Sequence, residues 1–291
     1  METNAINRES RSERWRAYKR RPLSLLLRLA VTLSAAVTVF VLVTLVAYIL
    51  IKGIPNLKPS LFAWEYTTEN ASMLPAIINT LTMTVLSLLM AVPVGVCSAI
   101  YLVEYAGRGN RLVSLVRITA ETLQGIPSIV YGLFGFLFLV ACKFGYSLLS
   151  GAITLAIMIL PLILRTTEEA LKAVPDSFRE GSFGLGAGRL RTVFRIVLPS
   201  AVPGILAGVI LAIGRIVGET AALIYTSGTV AGVPETLMGS GRTLAVHMYA
   251  LLSNGLYTEQ AYATAVVLLV MVVGINALSA WLAKKVSAKQ R

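Results

Sequence analysis

Apolar residues along this chain fall into six long runs separated by short polar segments. The runs cover residues 29–51, 74–103, 118–142, 148–165, 200–226 and 261–283. About 20 apolar residues in a helix cross a hydrocarbon core roughly 30 Å thick. The pattern therefore predicts an all-α, polytopic membrane protein with six transmembrane helices. The second run is long enough to need a tilt or a kink at Pro93.

The composition agrees with this pattern. Of the 291 residues, 56% are apolar and 14% charged, which excludes ordinary soluble domains. The first apolar run is too long for the core of a signal peptide and has no small-residue cleavage site. We therefore interpret it as a retained first span. The single histidine leaves too few ligands for a structural zinc site and makes a histidine-based triad improbable, and no cofactor is expected.

The net charge of +12 is distributed unevenly. If the N-terminus is cytoplasmic, the outer segments hold only Lys52, Lys58, Lys143 and Arg242, and 21 of the 26 basic residues lie inside. Basic residues stay on the cytoplasmic side of membrane proteins. We therefore predict two cytoplasmic termini in a multi-pass protein of the cytoplasmic membrane, in contact with lipid, and nucleic acid is not needed to explain the charge.

The chain is predicted to have three parts. Residues 1–22 form a basic cytoplasmic tail, residues 23–73 the first transmembrane helix and an outer loop, and residues 74–285 the main transmembrane domain. That domain contains a cytoplasmic loop, residues 166–199, which is too long for a simple connection. Its apolar content argues against disorder and favours a helix that docks on a soluble partner. Gly186 permits the left-handed turn that ends such a helix, and Pro199 is tolerated in the first turn of the next.

One arginine lies deep within an apolar run. Counted from Ala201, Arg215 is about 21 Å along its helix, where a guanidinium needs a partner. Glu219 follows at i+4, where it can neutralise Arg215 on the same helix face, and this pair alone is one interpretation. The other is that Arg215 presents a planar, permanently charged fork to an oxyanion while Glu219 competes with that anion. Arg165, which closes the fourth run, is either a cytoplasmic anchor or a second cation on the same path.

Two further features near the third run are ambiguous. Arg117 and Glu121 have the i, i+4 spacing of a local ion pair. Gly125 and Pro127 loosen the backbone early in the run, which indicates either a plain kink or a break facing a cavity.

The spacing in the cytoplasmic loop resembles a known motif. Glu180-Gly181-Ser182, three residues, Gly186, nine residues, Ile196, one residue and Leu198-Pro199 is similar to the EAA loop of ABC-importer permeases, which has Ala-Ala in place of Gly-Ser. The resemblance implies that residues 180–186 form a coupling helix seated in a cytoplasmic ATPase. Because no G-x-x-x-x-G-K-[ST] sequence occurs, we expect the ATPase to be a separate subunit and this chain not to be an enzyme.

A wider set of segments resembles the PstA-type permease subunit of phosphate ABC importers. The segments are 101–105, 125–132, 165–168, 185–187 and 214–222, with Ala222 where the family commonly has proline. The resemblance implies a type I ABC importer permease fold and a role for Arg165 and Arg215 in translocation. It also implies three partners: a PstC-type permease, a PstB-type ATPase dimer and a PstS-type phosphate-binding protein.

Three alternatives remain open at this stage. The cargo of the permease is phosphate by resemblance, and the alternative is another oxyanion such as sulfate, molybdate or phosphonate. An intramembrane enzyme would need a cluster of catalytic polar residues near one interface, and the sequence shows none. A secondary transporter would work without an ATPase, so co-purification of one separates the two classes.

Overall fold

The computed structural model describes residues 22–107 and 109–288. The predicted basic tail, apart from Pro22, lies outside the described residues, as do Arg108 and the last three residues. All regular structure within the described ranges is helical, with no strand. The all-α prediction is therefore confirmed for this part of the chain.

Eleven α-helices follow one another in the described ranges, and three of them border one of two π-helical turns. They are α1 Pro22–Gly53, α2 Leu74–Ile100 with the π-turn Tyr101–Tyr105, α3 Arg111–Gln124, α4 Ser128–Ala141, α5 Leu148–Lys172, α6 Asp176–Gly184, α7 Arg189–Thr192, the π-turn Val193–Val197 leading into α8 Leu198–Val217, α9 Ala221–Thr226, α10 Leu244–Ser253 and α11 Thr258–Ala288. By length and composition, five of the helical stretches can cross a membrane, or six if α3 and α4 together count as one span.

Three of the predicted spans differ in detail. The third is not one helix: α3 and α4 meet at 106°, because Pro127 lacks an N–H and restricts the residue before it. The fourth continues beyond Arg165 to Lys172. The fifth stops at Val217, where Gly218 caps the helix, and α9 is a separate short helix.

Helix α5 is the centre of the packing. It contacts α2, α8, α3, α4 and α9, and 67% of its most apolar stretch is buried. Its Leu155, Met158 and Ile159 form one core with Met83 of α2 and Ile216 of α8. A helix that is apolar on nearly every face belongs in the interior of a bundle, and α5 occupies that place.

Small residues set the distance between α5 and α8. A Cβ atom added to Gly208 of α8 would lie 2.7 Å from the Cβ of Thr166 on α5. Helices in membranes associate closely where glycine removes the side chain from the interface. The α5–α8 contact therefore depends on the absence of a side chain at position 208.

The chain divides into two compact units, Met1–Ile51 and Lys52–Arg291. In the first unit, the described part of α1 is apolar all round and its most apolar stretch is 0% buried. Such a helix requires lipid or another protein around it. The second unit contains the remaining helices and the functional residues described below.

Candidate functional site

Arg215 lies in the last turn of α8 and is half-buried. Within the described residues it has no carboxylate within 4.0 Å and no hydrogen-bond partner. The phenol of Tyr131 on α4 lies within electrostatic range of the guanidinium. A charged group in an apolar span without a carboxylate among the described residues is available to an anion or to another subunit.

Glu219 does not pair with Arg215. The i+4 expectation required one continuous helix, and α8 ends at Val217, two residues before Glu219. The Glu219 carboxylate instead accepts a hydrogen bond of 3.2 Å from the backbone N–H of Ala222 in the first turn of α9. The local ion pair, which was one of the two interpretations of Arg215, is not formed, and Glu219 remains a candidate pathway residue by proximity in sequence only.

Two polar side chains within the candidate spans were assigned no role from the sequence. Asn276 of α11 faces Gly214, and its Oδ1 is buried without a hydrogen-bond partner among the described residues. Gln124, at the end of α3, donates from Nε2 to the carbonyl of Pro161 on α5 at 3.0 Å. A lone asparagine in the last apolar run was visible in the sequence, but the helix face it occupies was not.

The structure places Arg165 in an exposed pair. Its Nε lies 3.0 Å from Oε1 of Glu169, one turn further along α5, and both side chains are more than half exposed. Arg165 and Arg215 lie on different helices, and no contact between them is found among the described residues.

The predicted pair of Arg117 and Glu121 is not formed. Arg117 instead places Nη2 2.6 Å from Oε1 of Glu168 on α5, and the Nζ of Lys172 lies 2.6 Å from the same oxygen. The Glu168 side chain is only 9% exposed, so one buried carboxylate serves two cations. The Arg117–Glu168 ion pair thus connects α3, the first half of the broken span, to α5.

The loop that was predicted to be cytoplasmic contains the predicted short helix, α6. Glu180 and Gly181 are exposed, whereas Ser182 is buried and its Oγ lies 2.8 Å from Oγ1 of Thr192 on α7. The predicted left-handed turn is confirmed, since Gly186 has φ of +83°. The N–H groups of Gly186 and Ala187 donate to the carbonyls of Phe183 and Ser182, which is a Schellman cap.

An apolar surface surrounds this cap. Large apolar side chains that are exposed include Phe178, Phe183, Leu185, Leu190 and Phe194, and Leu185 is 91% exposed. A concavity of about 560 Å³ lies beside Leu185, and its other lining residues are Ser182, Gly186, Ala187, Arg191, Arg195 and Ile196. Leu198 and Pro199 do not line it; they are half-buried at the start of α8. Exposed patches of this kind mark protein-binding sites.

A third polar cluster, formed by residues of α10 and of the segments that precede α2 and α10, was missed. Arg242, 6% exposed, stacks on the ring of Tyr66 with 4.6 Å from Cζ to the ring centroid. The same ring meets His247 edge-on at 6.1 Å. Burial, with a smaller contribution from the Arg242 charge, lowers the pKa of His247 to about 3, and the nearby Ala71 carbonyl opposes this weakly. His247 is therefore neutral at physiological pH.

Comparisons with known proteins agree with this arrangement. Residues 91–290 match the family model described as binding-protein-dependent transport system inner membrane component. The chain is 31% identical to the probable ABC transporter permease protein YqgI of Bacillus subtilis, over 88% of this chain and 94% of that protein. It is 37% identical to the phosphate transport system permease protein PstA of Yersinia pestis, over 78% of this chain and 77% of that one.

A solved structure is similar in fold. A chain of the bacterial alginate ABC transporter, crystallised with an alginate pentasaccharide-bound periplasmic protein, superposes with a TM-score of 0.69. The match covers 94% of this chain and 98% of that chain at 16% identity. At that identity the likeness establishes the fold, and the predicted type I importer permease fold is confirmed.

Proposed function

This chain belongs to the binding-protein-dependent transport system inner membrane components, as a PstA-type permease, and from this premise we propose that it carries inorganic phosphate across the cytoplasmic membrane. The observation that supports the cargo is Arg215, a half-buried guanidinium in an apolar span with no carboxylate partner among the described residues. Its planar donors match two oxygens of an oxyanion. Sulfate, molybdate and phosphonate share this chemistry, but the names of the relatives favour phosphate.

Energy for transport comes, in this proposal, from a separate ATPase dimer of the PstB type. The exposed apolar surface around α6 and α7 supports a docking site, because five large apolar side chains there are open to solvent. The residues matching the coupling motif, Glu180, Gly181, Ser182 and Gly186, lie on or beside that surface. A protein–protein contact would bury these apolar groups and stabilise the complex.

The remaining partners complete one transporter. We infer a second permease of the PstC type beside this chain and a PstS-type phosphate-binding protein at its outer face. The bias of basic residues toward one side supports cytoplasmic termini and a cytoplasmic α6. Arg165 and Glu219 are included as candidate pathway residues, Arg165 because its side chain, although paired with Glu169, is more than half exposed and can exchange that partner for a passing anion.

Reconstitution with these partners tests the proposal. Wild-type proteoliposomes should take up labelled phosphate only with ATP, and excess sulfate or molybdate should not compete. Arg215→Lys keeps the charge but removes the fork, and we expect uptake to fall at least about tenfold, equivalent to roughly 1.4 kcal/mol. Arg111→Lys, at an exposed arginine in the first turn of α3, is the matched control and should be unchanged. Near-normal uptake by both Arg215→Lys and Glu219→Gln would refute the assignment.

A further inference from the structure

Helix α6 is attached to the rest of the molecule in an unusual way. None of its apolar side chains is buried; Ser182 is its one fully buried residue. Hydrophobic packing, which is non-directional, therefore contributes little to holding this helix in place. Its position relative to the spans must come from polar contacts.

Arg179 supplies most of those contacts. Its side chain is 15% exposed, although Phe178 and Glu180 on either side of it are open to solvent. The guanidinium points toward the ends of α2 and α5, where it meets Glu104 and the Leu171 carbonyl. It thus belongs to the inner face of the coupling helix.

All five N–H donors of this guanidinium have acceptors. Nε and Nη2 donate to the Glu104 carboxylate at 3.2 and 2.7 Å, and Nη2 also donates to the Leu171 carbonyl at 2.9 Å. Nη1 donates to the Val174 carbonyl at 2.7 Å and to Asp176 at 3.1 Å. One side chain therefore links α6, the end of α5 and the end of α2. An arginine with every donor satisfied in a fixed fork defines both distance and orientation.

Glu104 is shielded from solvent, like its partner. It lies in the π-turn that ends α2, and its side chain is 8% exposed. The hydrogen bond to Glu104 raises the pKa of Arg179 against the opposing effect of burial. Since both groups are largely shielded from water, solvent cannot replace either partner without cost. Turns of the π type in helices occur frequently at functional positions.

We propose that the Arg179–Glu104 pair is the contact that makes the coupling helix and the cytoplasmic ends of α2 and α5 move together. The inference rests on the proposed docking of an ATPase on α6. When the ATPases displace α6, the fork transmits that displacement to two spans at once. Without the fork, α6 moves on the ATPase while the spans remain in place. Arg179 and Glu104 are then positioning residues, with no contact to the transported anion.

The test compares transport with ATP hydrolysis in the complete reconstituted transporter. Glu104→Gln removes the charge with little change of shape, and Arg179→Lys removes the fork. Asp176→Asn makes the same carboxylate-to-amide change at the other carboxylate bound to Arg179, but at a side chain that is 77% exposed. We expect both Glu104→Gln and Arg179→Lys to lower the phosphate carried per ATP hydrolysed at least tenfold while hydrolysis continues. Asp176→Asn should stay within twofold of the wild type.

The outcomes separate three explanations. An unchanged ratio in Glu104→Gln and Arg179→Lys overturns the proposal. So does a parallel loss of uptake and hydrolysis at constant ratio, or a failure of both variants to assemble, since either shows a contact needed only for folding. If the wild-type chain neither binds an ATPase nor carries phosphate, the proposed function is refuted. That outcome is distinct from a refutation of the Arg179–Glu104 proposal, which requires an active wild-type transporter.

Discussion

Two glycines of the coupling motif should respond to the same substitution in opposite directions. Gly186 has φ of +83°, a left-handed conformation that disfavours any Cβ, whereas Gly181 lies within helix α6. A Cβ at either position would meet no atom within 4 Å, so neither change creates a clash. The difference between them is therefore a property of the backbone alone.

The magnitudes follow from backbone preferences. Alanine in the left-handed region costs roughly 1–2 kcal/mol, so we expect Gly186→Ala to destabilise the cap of α6 by about 1 kcal/mol. Alanine inside a helix is favoured over glycine by about 1 kcal/mol, so Gly181→Ala should stabilise α6 by a similar amount. A free-energy change of 1 kcal/mol alters a local opening equilibrium by a factor of about five.

Hydrogen–deuterium exchange of the purified, full-length chain measures this opening directly. Exchange in α6 should be about fivefold faster in Gly186→Ala and about fivefold slower in Gly181→Ala. Exchange in α5 should not change in either variant and serves as the internal control. If both substitutions shifted exchange in the same direction, the assignment of Gly186 as the cap and Gly181 as helix interior would be refuted.

Two other predictions concern stability. His247 takes up a proton near pH 6.5 in the unfolded state but only near pH 3 in the folded state, so the free energy of unfolding of the wild type should fall by about 2 kcal/mol between pH 7.5 and pH 5. His247→Gln should not show this pH dependence in thermal unfolding. Identical pH profiles of the two proteins would argue against a buried neutral imidazole. Gly208→Ala should force α8 away from Thr166 and lower the unfolding temperature by overpacking, at a cost of about 1–3 kcal/mol. Gly274→Ala, whose Cβ would meet nothing within 4 Å, should not lower it, and equal effects would contradict the packing argument.

Hydropathy located the spans because a helix that crosses a lipid bilayer must consist mostly of apolar residues. It did not locate the break between α3 and α4, since a window average is the same for a straight and a bent apolar segment. The Gly125 and Pro127 signal allowed either a kink or a break, and only the geometry distinguishes them. The hydropathy pattern also did not show that α8 ends at Val217. The sequence therefore could not show that Glu219 lies outside this helix.

Ion pairs were the least predictable feature. Sequence spacing proposes partners one helical turn away, as for Arg117 and Glu121, and ignores partners on other helices. Arg117 pairs with Glu168 of α5 and not with Glu121. The Glu168 carboxylate is buried, and a buried carboxylate requires cations beside it. Arg179 and Glu104 are 75 residues apart, and nothing in the sequence connects them. The coupling motif, in contrast, was recognised from its spacing. Its Gly186 is needed for a left-handed turn that depends only on the local backbone.

The sharp bend between α3 and α4 has a consequence for how this subunit matures in the cell. Gly125 and Pro127 lie on the surface of the isolated chain, so the non-helical backbone of the bend would face acyl tails if the subunit stood alone. Non-helical backbone at membrane depth is tolerated only where protein or a water-filled cavity covers it. We therefore expect newly inserted copies to be short-lived until another subunit covers the bend, so that the steady-state abundance of this chain follows the synthesis of its neighbour.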